Sequence, residues 1–246
     1  VTYSGTGSSR TISYDFEVDF FWCKMRNDVY HHSIFDSSRG ANTRSRANEN
    51  RAEEAAANTV SFGNSSGVTL GTDDSSYGVN QELNDSSAQA IYVAWSWKAN
   101  GGSRTTNAEV GNNPAGGYQA NTTAGFSIVD YTGTGAAGTM AHGLGAVPSL
   151  IMVKNRDVAD AWAVYHSANT SAPETDYLVL NETDETADDD AFWNDTAPTS
   201  TVFTINTAHN VNADAENYIA YCFTEIQGYS KFGSYTGNAS TDGTFV

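Results

Sequence analysis

Apolar residues in this chain recur at every second position in short runs, and clusters of Gly, Ser, Asn and Asp break the runs apart. That is the pattern of strands joined by turns. In IYVAWSWK (91–98), Ile91, Val93, Trp95 and Trp97 fall on one face and Tyr92, Ala94, Ser96 and Lys98 on the other. In YIAYCF (218–223), Ile219, Tyr221 and Phe223 take the matching face. Further strands are predicted at FSIVDYTGTG (126–135), LIMVKNR (150–156), AWAVYHS (161–167), YLVLN (177–181) and TVFTIN (201–206). The early part of the chain offers TISYDFEV (11–18), FFWCKMR (20–26), HSIFDS (32–37) and a weaker SSGVTLG (65–71). One helix is predicted, at NENRAEEAAAN (48–58), whose Ala and Glu content suits a short surface helix. Residues 184–195 are too polar for a strand and read as a loop or a poor helical turn.

The runs also repeat. VTYSGTG (1–7) returns as VDYTGTG (129–135), and a shorter GSYTGN lies at 233–238. FFWCKMRND (20–28) is echoed by SLIMVKNRD (149–157), with Lys24 opposite Lys154 and Arg26 opposite Arg156. HSIFDSS (32–38) lines up with WAVYHSA (162–168), and AIYVAWSWK (90–98) with NYIAYCFTE (217–225). A period of roughly 100 to 130 residues is too long for a short-repeat solenoid, so each unit is expected to be a module with its own core. The expected fold is all-β: two tandem antiparallel β-sandwiches, jelly-roll-like, over 1–98 and 125–232. Residues 99–124, rich in Gly and Asn and without periodicity, are expected to be an excursion or linker. Residues 233–246 read as the start of a third repeat or an exit strand. Tandem non-identical modules serve as spacers, scaffolds or multivalent binders, whereas a catalytic site is normally built once.

Charge narrows the partners. With 12 Lys and Arg against 29 Asp and Glu the formal charge is −17. Nucleic acid and anionic membrane surfaces both need a basic footprint that this balance lacks. No apolar run approaches the length of about 18 residues that a membrane span needs, so no membrane insertion is expected. No signal peptide is recognisable, and the chain reads as a segment of a longer polypeptide or a processed product. Cys23 and Cys222 fall opposite Val153 and Ser96, so neither belongs to a repeated disulfide or metal framework, and both are expected as buried thiols.

Few residues suggest chemistry. The acidic run 182–190, with Asp195, could offer oxygen ligands to calcium but lacks the spacing of a calcium loop, and a solvated loop is the expected reading. His31 and His32 face opposite sides of a strand, and His142, His166 and His209 have no ligand-type spacing. Among 29 acids no carboxylate pair stands out, so no catalysis, no metal and no cofactor is expected. The recurring cations Lys24, Arg26, Lys154 and Arg156 are expected to make structural salt bridges or to pack between modules. Trp193, in the acidic loop, and Tyr118, in the Gly-rich excursion, are the aromatic residues expected to be exposed for a sugar ligand. Seven N-glycosylation sequons carry little weight in a chain so rich in Asn, Ser and Thr.

FSIVDYTGTG followed by HGLGAVPSLIMVKNR (142–156), then YIAYCFTEIQGYSKFGSYTGN (218–238), resembles a repeat of tail fibre and related virion proteins of tailed bacteriophages, many of them marine. WCK (22–24), SRG (38–40), YVAWSWKA (92–99) and GFSIVDYTGTG (125–135) follow in the order of that family, so the resemblance covers almost the whole chain. The first unit departs from it: YDFEVDFFWCK (14–24) lacks the Gly and Pro turn of HGLGAVPSLIMVK. The resemblance implies a non-enzymatic virion module in a tail fibre or projecting appendage that supports host attachment. It also implies other virion proteins as partners, a homo-oligomer with a trimer as one option, and a host surface glycan as a ligand. The alternatives are a capsid decoration or turret protein and, further off, a glycan depolymerase.

Overall fold

The computed structural model describes residues 1–74 and 76–243. The fold is all-β, with antiparallel sheets throughout. The first half contributes β1 (Thr2–Ser4), β2 (Arg10–Ser13), β3 (Phe20–Met25), β4 (Ser33–Asp36), β5 (Thr43–Arg46), β6 (Glu54–Ala55), β7 (Val60–Ser61), β8 (Gly67–Leu70) and β9 (Ile91–Trp97). Its wide sheet has the order β1-β9-β3-β4-β5-β6, and a small sheet, β2-β8-β7, covers one face. The second half contributes β10 (Thr105–Asn107), β11 (Gly116–Asn121), β12 (Phe126–Thr132), β13 (Gly138–Ala141), β14 (Leu150–Asn155), β15 (Ala163–His166), β16 (Asp176–Val179), β17 (Ala187–Asp188), β18 (Val202–Ile205) and β19 (Asn217–Phe223). Its wide sheet runs β10-β11-β12-β19-β14-β15-β16-β17. The pair β13-β18 and two single-turn helices, α1 (Asp190–Trp193) and α2 (His209–Asn212), cover one face of it.

From β12 to β17 the second wide sheet repeats the strand order of the first, with β12 in the place of β1 and β19 in the place of β9. The same bonds recur at matching places. Tyr3 stacks on Tyr92 at 4.9 Å and Tyr131 on Tyr218 at 5.1 Å, while their hydroxyls donate to the carbonyls of Val79 and Val211. The Asn80 side chain accepts from Thr6 N–H, as the Asn212 side chain does from Thr134 N–H. The shared GTG sequence follows from backbone crowding at this turn. A Cβ on Gly5 would lie 1.7 Å from the Gln81 carbonyl oxygen, and one on Gly133 2.1 Å from that of Ala213.

Each wide sheet is apolar on both faces, and this decides the architecture. On β3, Phe21 and Cys23 enter the core beneath the small sheet, while Phe20 points the other way. On β14, Ile151 and Val153 face the second half's own core, while Met152 points the other way. The outward faces meet. Phe20 and Ile34 of the first sheet pack with Phe126, Ile128, Met152, Trp162, Ile219 and Tyr221 of the second in a middle core. The result is four layers and three cores, the middle one shared by both halves.

A buried charge network crosses this middle layer. Arg39, with a fully buried side chain, donates to Asp36 Oδ2 at 2.5 Å, to the Ile34 carbonyl at 3.1 Å and to Glu53 at 3.3 Å. From the second half, Tyr221 Oη donates to Asp36 Oδ2 at 2.7 Å, and Arg156 grips Glu53 through both carboxylate oxygens at 2.9 and 2.8 Å. Asp19 accepts from the N–H groups of Ala99, Gly101 and Gly102, which fixes the chain as it leaves β9.

Two expectations are corrected. Residues 48–58 form no helix: Glu54 lies in β6 and pairs with Arg44 and Arg46, while Glu53 is drawn into the middle layer, so ion pairing overrides the helical propensity. Residues 99–124 are more than a linker. They contain the hairpin β10–β11, which extends the second wide sheet alongside β12.

Candidate functional site

The residues singled out by sequence behave differently from one another. Trp193 is only 2% exposed: it sits at the end of α1, packs edge-on against Tyr165, and donates its indole N–H to the Asp176 carbonyl at 3.1 Å. It anchors the acidic loop from inside and offers no surface platform. Tyr118, on β11, is half-buried against the second half's core. The loop matches its expectation only in part: Asp189 caps a single helical turn by accepting from Ala191 N–H, but Ala187 and Asp188, expected as too polar for a strand, form β17 along β16.

The recurring cations split by role. Lys24 Nζ donates to the Asp28 carbonyl at 2.8 Å and also to that of Met25, and Lys154 Nζ repeats this with Asn155 at 2.5 Å and Val158 at 3.3 Å. Each lysine ties off the turn after its strand. Arg156 joins the two halves through Glu53, whereas Arg26 is exposed and makes no ion pair among the described residues. Lys154 is fully buried, and burial pushes its ammonium down to about 8. The unfolded chain therefore holds this proton more tightly, so stability gained through Lys154 rises with pH from about 8 to about 10.5. Lys154→Met is expected to flatten this rise by roughly 3 kcal/mol across that window, read as the difference between wild-type and variant urea midpoints at each pH. Equal profiles would refute it. Both cysteines are buried free thiols pushed up to about 12 by burial, which leaves them unreactive.

Exposed aromatic surface lies elsewhere, where the wide sheets stop overlapping. Trp22 and Trp95 are register partners on β3 and β9, with rings edge-to-face at 6.0 Å, and Trp95 is 44% exposed. The indole N–H of Trp22 donates to His32 Nδ1 at 2.9 Å, which fixes its ring. Beside them Trp97 packs against Phe20, Phe126 and Phe223. The turn 224–232, held by the Ile226–Ser230 bridge and the Lys231–Glu225 ion pair, stands Tyr229 over this surface with 63% of its area exposed. A cleft of about 190 Å³ opens between Trp22, Trp97, Leu150, Phe232 and Tyr229. A second depression of about 400 Å³ continues past Trp97 to Phe16, Lys98, Asn121 and Thr123. An aromatic floor with an amide, hydroxyls and an exposed ammonium at its rim can hold an apolar ring face while hydrogen-bonding its edge.

Sequence reasoning expected Trp193 and Tyr118 to be the exposed aromatics and placed Trp22, Trp95 and Trp97 on strands. The signal it missed is that their face, apolar throughout, exceeds what the facing sheet covers. It also missed one titratable group. Asp160, His209 and Glu216 bring one ligand atom each within 4.8 Å of one another, and among the described residues no other His, Cys, Asp and Glu set of three does so, the 182–195 loop included.

The profile of the family described as "Domain of unknown function (DUF7483)" matches residues 1–246. The chain belongs to this family. No curated protein and no solved structure matches it.

Proposed function

We propose that this member of the DUF7483 family is a non-enzymatic virion module, part of a phage tail fibre or projecting appendage, whose aromatic cleft contacts a glycan on the host surface. The cleft carries this reading. Trp97 and Tyr229 line it together with Lys98, Asn121 and Thr123, and the exposed Trp95 adjoins it through Trp22, an arrangement of aromatic rings and polar groups that can bind the C–H face of a pyranose while its hydroxyls are hydrogen-bonded. A stack of four sheets with a shared middle core supplies the stiffness that a projecting part needs. Weak single sites of this kind gain strength from display in several copies. The formal charge of −17 favours a second reading, a capsid decoration that keeps particles dispersed.

The test is retention of the labelled chain on an array of bacterial surface polysaccharides and hexose oligosaccharides. Trp95→Ala and Tyr229→Ala, both at exposed positions that leave the cores intact, are expected to cut binding to the retained sugar more than tenfold, as truncating an aromatic anchor does. Unchanged binding in both variants removes the cleft from the function. A shortened polymer after incubation means a depolymerase instead.

A further inference from the structure

We infer that Asp160, His209 and Glu216 form a binding site for a divalent metal ion of the zinc type. Asp160 lies in the turn after β14, His209 opens α2, and Glu216 directly precedes β19, so three separate stretches of chain converge on one point. His209 Nδ1 is 2.5 Å from Asp160 Oδ2 and its Nε2 is 3.5 Å from Glu216 Oε1. The imidazole side chain is 55% exposed, which leaves a route for an ion and room for water to complete its coordination.

Outer partners hold both carboxylates in place. Asn155, fully buried, donates its side-chain amide to Asp160 Oδ2 at 3.3 Å and also to Glu216. Its Oδ1 accepts from Asp157 N–H at 3.0 Å, which sets the turn that carries Asp160. Tyr218 Oη donates to the His209 carbonyl at 2.7 Å and fixes the start of α2. Ligands oriented by buried amide and phenol groups are the arrangement that metal sites use to fix ligand geometry.

The decisive comparison is internal. In the first half the place of Asn155 is taken by Met25, that of Asp160 by Tyr30 and that of Glu216 by Ala90, and these pack with Tyr3 and Tyr92 as an apolar cluster. The fold is therefore satisfied by uncharged, largely apolar side chains at this corner and does not require the charged set. Two carboxylates placed side by side and partly withdrawn from water are unfavourable unless positive charge lies between them. One imidazole nitrogen with two carboxylate oxygens suits zinc or a neighbouring transition ion better than calcium, which prefers oxygen alone.

The experiment is isothermal titration of the full chain, stripped with EDTA, with zinc chloride alone at pH 7.5. One ion per chain is expected, with calcium at least tenfold weaker. His209→Ala and Glu216→Ala are each expected to weaken zinc at least tenfold. Ala stands at the matching place in the first half, so Glu216→Ala is compatible with the fold, and near-UV circular dichroism of each variant checks that it is folded. Asn155→Leu is expected to weaken zinc by about 10- to 100-fold through loss of ligand orientation. Absence of one-to-one binding, affinity unchanged in the folded His209 and Glu216 variants, or equal affinity for calcium overturns the assignment and leaves an imidazolium paired with two carboxylates.

Discussion

Arg39→Met is expected to destabilise the protein by about 3–5 kcal/mol, seen as a fall in the urea midpoint at constant slope. The arginine side chain has no exposure and neither does that of Asp36, so removing the guanidinium leaves a buried carboxylate whose remaining partners, Tyr221 Oη among them, only donate neutral hydrogen bonds. Glu53 keeps Arg156, so the damage centres on Asp36. Arg39→Lys is expected to recover part of the loss, because an ammonium restores the charge but cannot reach Asp36, Ser45 and the Ile34 carbonyl together. A loss below about 1 kcal/mol for Arg39→Met would mean that the network contributes no more than a surface ion pair.

Trp162→Ala is the second large effect, at about 3–5 kcal/mol. Its indole is fully buried in the middle core, stacked on Tyr221 at 6.2 Å, and donates to the Arg46 carbonyl of the first half at 2.8 Å. Because this core belongs to both halves, neither can unfold without exposing the other. Scanning calorimetry is expected to give one transition, with calorimetric and van't Hoff enthalpies equal, in the wild type and in Trp162→Ala alike. Two resolved transitions in the wild type would show that the middle core is a weak contact between independent units.

Strand positions were legible because alternation reports which residues share a face: 126–135 and 150–156 contain β12 and β14, and 218–223 covers β19 except for Asn217. The partner of each face was not legible. Ile219, Tyr221 and Phe223 read as core in any sandwich, and nothing in their spacing says that the facing layer is the outer side of another sheet. Gly116 and Gly117 hid β11, since a Cβ at either would meet backbone of a neighbouring strand and the usual strand-forming residues do not fit. Trp193 misled because its acidic neighbours are exposed while the ring turns inward across α1. Asp160, His209 and Glu216 are brought together by a strand crossing and a one-turn helix, and no spacing in the sequence encodes such an encounter.

The meeting of the two halves uses one kind of surface twice: each presents the face that its own small sheet leaves bare. Such an association is saturated, in the manner of a two-fold dimer whose single sticky patch is consumed by its twin. A further unit of the same build finds no vacant counterpart on this pair. Longer arrays of these units would then count in twos, with couples as their building blocks and looser joints between one couple and the next.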